Sequence, residues 1–326
     1  MKRMLILAAA LTLAAAAPAR ADQTLRFNIV GAGTVIGDGL NCSRATVDGP
    51  QVGDCDEHVV DGPPQCDNDI CFPTFGTLIV QANPASGFRF ASWSHPQCLN
   101  ARNPCTIAVA LGFGQPDLNV TATFADVQPP AVAVTSPANG AVIHGRTRLS
   151  ATAADNGGVK QVVFRVRGNP FQTFEVPPYT FNWDSLTLDD GPATISATAI
   201  DNAGLSTSAS VNVTIDNTAP TLKLTGPADG ATFTPGATAQ WGIGAEDATG
   251  PPSVQCSVVT QGLPPAFGAC TSATEETLAN LRNGRFTLTV RATDGAGNTA
   301  QEARSFSVGL TPIPMPCTPK LCHGHG

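Results

Sequence analysis

The same short motif occurs twice in this chain, about ninety residues apart. Ser136–Ala141 has the sequence SPANGA, and Gly226–Ala231 has the sequence GPADGA. Some sixty residues after each motif comes a second shared pattern, AIDNAG at 199–204 and ATDGAGN at 292–298. Each pair of motifs frames one unit of about 90 residues, which is the size of a small β-sandwich. The repeat therefore predicts a tandem array of β-modules.

The N-terminus has the pattern of a secretory signal peptide. Lys2 and Arg3 precede an apolar run at residues 4–17, and small residues flank the expected cleavage point before Asp22. That run is too short to span a bilayer, and no other stretch approaches 18 apolar residues. We therefore expect residues 1–21 to be removed and the chain to be exported to the cell surface or extracellular space, with the periplasm as the alternative.

Composition excludes some classes of partner. The formal net charge is −7, only 13% of residues are charged, and no cluster of Lys and Arg occurs. We therefore expect neither nucleic acid nor an anionic membrane as a partner. The 32 Gly and 27 Pro residues favour short strands and many turns over helices.

Apolar and polar residues alternate in many segments, which is the pattern of half-buried strands. Examples are Leu25, Phe27 and Ile29, then Val162, Phe164 and Val166, and later Phe286, Leu288 and Val290. Together with the repeat, this predicts an all-β chain with domains at 22–126, 130–216 and 217–309, followed by a Pro-rich tail at 310–326.

The ten cysteines support the same boundaries. In an exported chain they indicate disulfides. Six lie in the first domain, two in the third and two in the tail, and the middle domain has none. Each group can therefore pair within itself, which predicts Cys256–Cys270 in the third domain and Cys317–Cys322 in the tail.

Residues 23–126 resemble the divergent internalin-B-type bacterial repeat. The matching marks are Gly31, Gly33 and Val35, the Cys42 and Cys71 pair, the A-x-P-x-x-G-F turn at 82–88, the F-x-x-W-S step at 90–94, the Cys98 and Cys105 pair, and V-x-A-x-F at 120–124. An insertion at 43–70, bearing Cys55 and Cys66, departs from the family, and we interpret it as a stapled surface loop. Six cysteines allow 15 pairings. A nested pairing, with the Cys55–Cys66 loop inside the Cys42–Cys71 loop, and the resemblance together favour Cys42–Cys71, Cys55–Cys66 and Cys98–Cys105.

Residues 131–309 resemble two tandem bacterial Ig-like domains. The first carries SPANGA at 136–141, A-x-D-N-x-G-V at 153–159, P-Y-x-F-x-W at 178–183 and the AIDNAG hairpin. The second is similar to a subtype in which a QCS strand at 255–257 is linked to an ACT segment at 269–271. The resemblance implies two immunoglobulin-like β-sandwiches after a disulfide-rich N-terminal β-domain. It also implies an extracellular or surface protein of bacteria, often adhesive or accessory.

Four aspartates in hairpins and linkers are candidate calcium ligands: Asp155, Asp201, Asp216 and Asp294. Calcium takes six to eight oxygen ligands, often from carboxylates, and the Asp216–Pro220 linker is similar to the calcium-binding linkers of cadherins. The alternative is that Asp-Asn and Asp-Gly pairs only serve tight turns. The insertion also holds polar groups that offer a metal or partner site, or else only a solvated loop: Asp54, Asp56, Glu57, His58, Asp61, Asp67 and Asp69.

The tail has a C-x4-C-H pattern formed by Cys317, Cys322 and His323, followed by His325. This spacing is a less common form of the c-type haem attachment site, and the two histidines also offer a weak metal site. We expect instead a small disulfide loop without haem, because so short a tail cannot enclose one.

No nucleophile or metalloprotease motif surrounds any of the five histidines, so we predict that the chain is not an enzyme. The predicted function is a structural spacer or an adhesin-like protein that binds a protein or glycan at a cell surface, with the oligomeric state left open. One alternative is a carbohydrate-binding accessory protein, which exposure of Trp93 or Tyr179 on a flat face would favour. The other is a monohaem electron-transfer protein that uses the tail.

Overall fold

The computed structural model describes residues 23–59, 65–67, 70–72, 74–99, 102–111 and 116–309. These residues form strands and turns, with two single-turn 3-10 helices at Pro96–Cys98 and Ser185–Thr187. Contacts group the chain into two compact units. One contains the residues up to Ala131 together with Ala153–Val162 and Ala199–Thr207, and the other contains the remaining described residues.

The first stretch of chain forms a two-sheet sandwich. The strands of this stretch are β1 Gln23–Val30, β2 Gly33–Gly37, β3 Asn41–Arg44, β4 Gln51–Asp54, β5 Asp56–Val59, β6 Gln65–Asp67, β7 Ile70–Phe72, β8 Thr74–Pro84, β9 Phe88–Trp93, β10 Cys105–Leu111 and β11 Leu118–Asp126. Strands β6 and β7 pair with each other as a separate two-stranded sheet, and the other nine strands form the sandwich. One sheet has the order β5-β1-β11-β9, and the other has the order β10-β8-β2-β3-β4. We call this two-sheet unit the first sandwich.

Alternation along the strands builds the core of the first sandwich. Leu25, Phe27 and Ile29 of β1 are buried, while the residues between them are partly or fully exposed. They share one apolar cluster with Val80 of β8 and Val120 of β11, so side chains of both sheets fill the space between them. Strand β1 runs parallel to β11, with Leu25 opposite Leu118.

The expectation of a surface loop at 43–70 is wrong for the strands β4 and β5. Strand β4 pairs with β3, with Cys42 opposite Gly53, and β5 pairs with β1, with Leu25 opposite Glu57. Both strands lie at sheet edges. An edge strand has one paired side and borrows its register from its neighbour, so a polar segment without clear alternation can extend each sheet.

The second stretch of chain has eight strands in its described residues: β12 Ala131–Ser136, β13 Val142–Ile143, β14 Arg146–Ala154, β15 Val159–Val166, β16 Asn169–Phe174, β17 Thr180–Asp184, β18 Gly191–Asp201 and β19 Ser206–Ile215. One sheet has the order β12-β14-β17, and the other has the order β13-β19-β18-β15-β16. Phe181 packs edge-on against Phe164 with ring centroids 5.3 Å apart, which joins the two sheets. We call this stretch the second sandwich.

The third stretch repeats this arrangement as the third sandwich. Its strands are β20 Thr221–Thr225, β21 Ala231–Phe233, β22 Ala239–Glu246, β23 Ser253–Thr260, β24 Glu275–Leu278, β25 Gly284–Thr293 and β26 Thr299–Val308. The sheet orders β20-β22-β24 and β21-β26-β25-β23 match the second sandwich strand for strand, apart from the additional edge strand β16.

Both sandwiches have an immunoglobulin-like arrangement. Counted along the chain without the short parallel strand, the first two main strands share a sheet with the fifth in the second sandwich (β17) and with the fourth in the third sandwich (β24). In both, the third main strand lies with the last two in the other sheet. In each sandwich the short strand pairs in parallel with the final strand: β13 with β19, and β21 with β26. Within the described residues, no helix is long and apolar enough to cross a membrane.

Candidate functional site

Three aspartates from separate parts of the chain meet in what we call the first acidic cluster: Asp126, Asp155 and Asp201. Asp126 is the last residue of β11, Asp155 follows β14, and Asp201 is the last residue of β18. One carboxylate oxygen of each residue lies within 4.8 Å of the others. Asp201 is fully buried, and the other two are half-buried.

One oxygen of each carboxylate holds the local turn. Asp155 Oδ2 accepts a hydrogen bond from the N–H of Gly157 at 2.6 Å, and Asp201 Oδ1 accepts one from the N–H of Leu205 at 2.8 Å. Asp126 Oδ1 accepts from the N–H of Gln128 at 3.0 Å. These are the short-range bonds for which Asp is favoured in turns. The turn role that the sequence suggests is therefore present for Asp155 and Asp201, and Asp126 has the same role.

The second oxygen of each carboxylate is different. Asp126 Oδ2, Asp155 Oδ1 and Asp201 Oδ2 are buried, and no group in the described part of the chain donates a hydrogen bond to them. Asn156 Oδ1 is likewise buried without a donor in the described residues. The amide nitrogen of the same side chain donates a hydrogen bond to Asp126 Oδ1 at 3.1 Å. A buried acceptor without a partner costs about 1–3 kcal/mol, and more when it is charged. Four such oxygens, three of them on clustered aspartates and one on the residue after Asp155, require an explanation beyond turn formation.

Electrostatics at the first acidic cluster disfavours three separate negative charges. Burial raises the pKa of the Asp155 carboxyl, and the carboxylates of Asp126 and Asp201 raise it further, while the hydrogen bond from Gly157 lowers it. Neither of the two ion pairs found among the described residues includes one of these carboxylates. The cluster is therefore an electronegative site without a side-chain counter-ion in the described residues.

Asp216, Asp247 and Asp294 form a second acidic cluster with the same spacing limit of 4.8 Å. Here the carboxylate oxygens have donors. Asp294 Oδ1 accepts from three backbone N–H groups, and its Oδ2 accepts from the Asn298 amide at 2.9 Å. Asp216 Oδ2 accepts from the Thr249 hydroxyl at 2.6 Å. The second acidic cluster is thus a satisfied hydrogen-bond network.

The hydroxyl of Thr249 also lowers the pKa of Asp247, and the backbone N–H of the same residue acts in the same direction. The two clusters therefore differ in electrostatics as well as in hydrogen bonding, because local donors stabilise the ionised carboxylate in the second one. A shared arrangement of aspartates does not give them the same chemistry.

The sequence identified four of the six clustered aspartates, and the structure divides them into two pairs. Asp155 and Asp201 lie in the first acidic cluster, and Asp216 and Asp294 lie in the second. Sequence reasoning missed Asp126 and Asp247. The repeat carried the necessary signal, because the three positions of one cluster recur in the other at offsets of 90, 92 and 93 residues. We infer no ligand from the positions alone, since aspartate serves turns at all of them.

The disulfides of the first sandwich differ from the expected set. Cys42 is bonded to Cys55, so the pairings Cys42–Cys71 and Cys55–Cys66 are wrong. The physical reason is that β3, β4 and β5 are joined to the two sheets, which leaves the Cα atoms of Cys42 and Cys55 only 4.6 Å apart. The backbone places Cys66 directly opposite Cys71 in the β6–β7 hairpin.

Two further disulfides join the pairs expected from the sequence, Cys98–Cys105 and Cys256–Cys270. The latter bond lies beside Glu276 in a group with metal-ligating residue types, but both sulfurs are engaged in the disulfide. The tail residues Cys317, Cys322, His323 and His325 lie outside the described residues, so their disulfide, metal and haem assignments stay predictions.

Residues 130–197 match the family model of the bacterial Ig domain, Big_7. This agrees with the resemblance stated for that part of the chain, whereas the internalin-B-type resemblance of residues 23–126 stays a prediction. No curated protein matches the sequence.

Several solved structures resemble the chain at low identity. The fibronectin(III)-like modules of Clostridium thermocellum CbhA are 19% identical, with 60% of this chain and 99% of that chain covered and a TM-score of 0.38. The three N-terminal domains of the bacteriophage RB49 Hoc protein are 13% identical, covering 74% and 96%, with a TM-score of 0.39. A tetra-tandem repeat of a large adhesion protein is 19% identical, covering 89% and 74%, with a TM-score of 0.28. Similarity at this level carries no argument about function.

The tryptophans and the tyrosine are core residues. Trp93, Trp183 and Trp241 are at most 3% exposed, and Tyr179 is 7% exposed. Trp93 and Trp241 donate their indole N–H groups to backbone carbonyls of Arg102 and Pro227. The exposed aromatic face that would favour carbohydrate binding is therefore not formed by Trp93 or Tyr179.

Proposed function

We propose that this chain is an exported, non-catalytic structural protein, acting as a spacer or adhesin at the bacterial surface or in the extracellular space. The repeated immunoglobulin-like sandwich carries the proposal. The same two-sheet order is built twice in succession over residues 131–308, with a third two-sheet sandwich before it. Repeating a complete fold adds length and loop surface, and such sandwiches are widely used as spacers and as scaffolds for binding loops.

The disulfides support export. Cys42–Cys55, Cys98–Cys105 and Cys256–Cys270 each close a short loop, and disulfides of this kind persist in oxidising compartments. A cytosolic protein would have these cysteines reduced. The signal peptide proposed for residues 1–21 would provide the route out of the cytoplasm.

Fractionation of a bacterium that expresses the full chain tests export. We expect the protein outside the cytoplasm, with a new N-terminus at Asp22 and with Cys256 and Cys270 protected from alkylation until a reductant is added. Protein retained in the cytoplasm with its leader intact and its thiols free would contradict the proposal.

Binding without chemistry is tested on cells that display the mature chain. These cells are passed over surfaces coated with glycans or with extracellular proteins, and the retained ligand is recovered and analysed by mass spectrometry. If the chain is an adhesin, the coated surface retains the cells and the ligand stays unchanged. If the chain is a spacer, the surface retains no more of these cells than of control cells that display residues 130–216 alone. Ligand that is cleaved or modified would refute the non-catalytic assignment.

A further inference from the structure

We propose that the first acidic cluster, Asp126, Asp155 and Asp201, binds a calcium ion. The proposal goes beyond the spacer or adhesin function and does not depend on it. The ion would cross-link the end of β11, the segment that follows β14 and the end of β18. All three positions lie within one compact unit of the chain.

The observation that points to a cation is the state of the second carboxylate oxygens. Each aspartate uses one oxygen for its own turn and keeps the other buried without a donor in the described residues. Asp201 is the strongest case, since the residue has no exposed surface and its Oδ2 has no partner. Burying an ionised carboxylate oxygen in this way is costly unless a charge of opposite sign is present.

The spacing of the carboxylates fits one ion. Calcium binds oxygen ligands at 2.3–2.6 Å, so two oxygens bound to the same ion lie no more than about 5 Å apart. One oxygen from each of the three aspartates satisfies this limit, because all lie within 4.8 Å of one another. The three residues thus meet a geometric condition that dispersed surface carboxylates would not meet.

The chemistry of the donor set favours calcium over other common ions. Three carboxylates and the nearby buried amide oxygen of Asn156 are hard oxygen ligands, which suit calcium and magnesium. Magnesium requires a near-octahedral shell at 2.0–2.1 Å and gives up its water reluctantly. Calcium tolerates irregular geometry and takes six to eight oxygens, so water would complete the shell around the four protein oxygens.

A glycine keeps the site open. At Gly157 an added Cβ would overlap Asp126 Oδ2, so any larger residue at this position would displace that oxygen. The backbone N–H of Gly157 also holds Asp155 Oδ2. Gly157 is therefore a positioning residue that sets the geometry of two carboxylates without contributing a ligand atom of its own.

The second acidic cluster provides an internal comparison, and we propose no calcium ion there. Its aspartates occupy corresponding places in the repeat, with Asp247 at the position of Asp155. Hydroxyl, amide and backbone donors satisfy its carboxylate oxygens, as described above for Asp216 and Asp294. Buried carboxylate oxygens without donors, rather than the acidic residues as such, distinguish the first cluster.

Titration calorimetry and thermal unfolding test the site in the full mature chain after treatment with EDTA. We expect calcium chloride to bind with a dissociation constant on the order of 10⁻⁴–10⁻³ M, as in extracellular modules, and to raise the melting temperature. Asp155→Asn keeps an acceptor for the Gly157 N–H but removes one charge, and it should weaken binding by roughly tenfold or more. The matched control Asp247→Asn should leave this binding unchanged.

Gly157→Ala provides a second variant in case Asp155→Asn fails to fold, and it should also weaken calcium binding while leaving all carboxylates in place. Absence of calcium binding to the unmodified chain would overturn the proposal. So would binding that survives Asp155→Asn but is lost in Asp247→Asn. An equal response to magnesium chloride would refute the assignment to calcium. If calcium changed neither the heat of titration nor the melting temperature, while the melting temperature rose as the pH fell, the carboxylates would share protons instead of binding an ion.

Discussion

Removal of the Asp294 carboxylate should loosen the turn between β25 and β26. Its Oδ1 accepts hydrogen bonds from the N–H groups of Ala296, Gly297 and Asn298 at 2.9, 2.7 and 2.9 Å. The residue is only 8% exposed, so water replaces these bonds incompletely. A hydrogen bond to a charged group contributes about 1.5–3 kcal/mol. Because the three donors share one oxygen, we expect Asp294→Ala to cost about 3 kcal/mol in total.

Hydrogen exchange measured residue by residue by NMR is the direct assay. Local opening governs exchange of turn amides, and about 3 kcal/mol corresponds to exchange roughly 100-fold faster. We expect this acceleration at Ala296, Gly297 and Asn298. Asp294→Asn keeps a neutral acceptor at the same place and should show a smaller effect.

Asp229 offers a matched control in the same sandwich. It accepts one hydrogen bond, from the Ser305 N–H at 2.6 Å, at an exposed site. Asp229→Ala should therefore leave the amides of 296–298 unchanged. If Asp294→Ala altered their exchange by less than about threefold, the carboxylate would not be the group that holds this turn.

Three further predictions concern the core, pH and modularity. Trp241 is fully buried, with its ring centroid 5.3 Å from that of Phe306, so Trp241→Ala should destabilise the third sandwich by about 3–5 kcal/mol, seen as a lower urea midpoint. Burial raises the pKa of Glu57 from its ordinary 4.5, and the Asp54 carboxylate raises it further. Ionisation of this residue therefore opposes folding at pH values above 4.5. Glu57→Gln should be neutral or slightly stabilising at pH 7 in thermal melts, and its difference from the parent should vanish as the pH falls below 4.5. An isolated fragment 130–216, which has no cysteine, should melt cooperatively at the same temperature with and without reductant, and an uncooperative melt would show that it depends on its neighbours.

The strands were predictable wherever one face of a strand is buried. Leu25, Phe27 and Ile29 alternate with more exposed residues, and so do the inward residues of β15 and β25. The ninety-residue repeat added the sandwich architecture, which local alternation alone does not define. The edge strands β4 and β5 were not predictable in this way, because they gain their order from pairing with β3 and β1 rather than from their own polar sequence.

The first-sandwich disulfides and the first acidic cluster depend on contacts between distant parts of the chain. Nesting suggested Cys42–Cys71, whereas strand pairing brings Cys42 to Cys55. No group of acidic residues around Asp126 in the sequence marks it as a site residue, and only the fold brings it close to Asp155 and Asp201. A comparison of equivalent positions across the repeat was the available signal, but it identifies turn residues and metal ligands equally well.

Stretching of single molecules held at their two ends tests most directly whether the chain is a tandem array of separate sandwiches. We predict three separate unfolding events under oxidising conditions. Reductant should increase the length released when the third sandwich unfolds by about 45 Å. The sequence separation of 14 between Cys256 and Cys270 extends to about 3.6 Å per residue step, less the 4.9 Å that the cross-link already spans. The event of the cysteine-free second sandwich should keep its length. A single concerted unfolding event, or a change in all three lengths on reduction, would contradict the account.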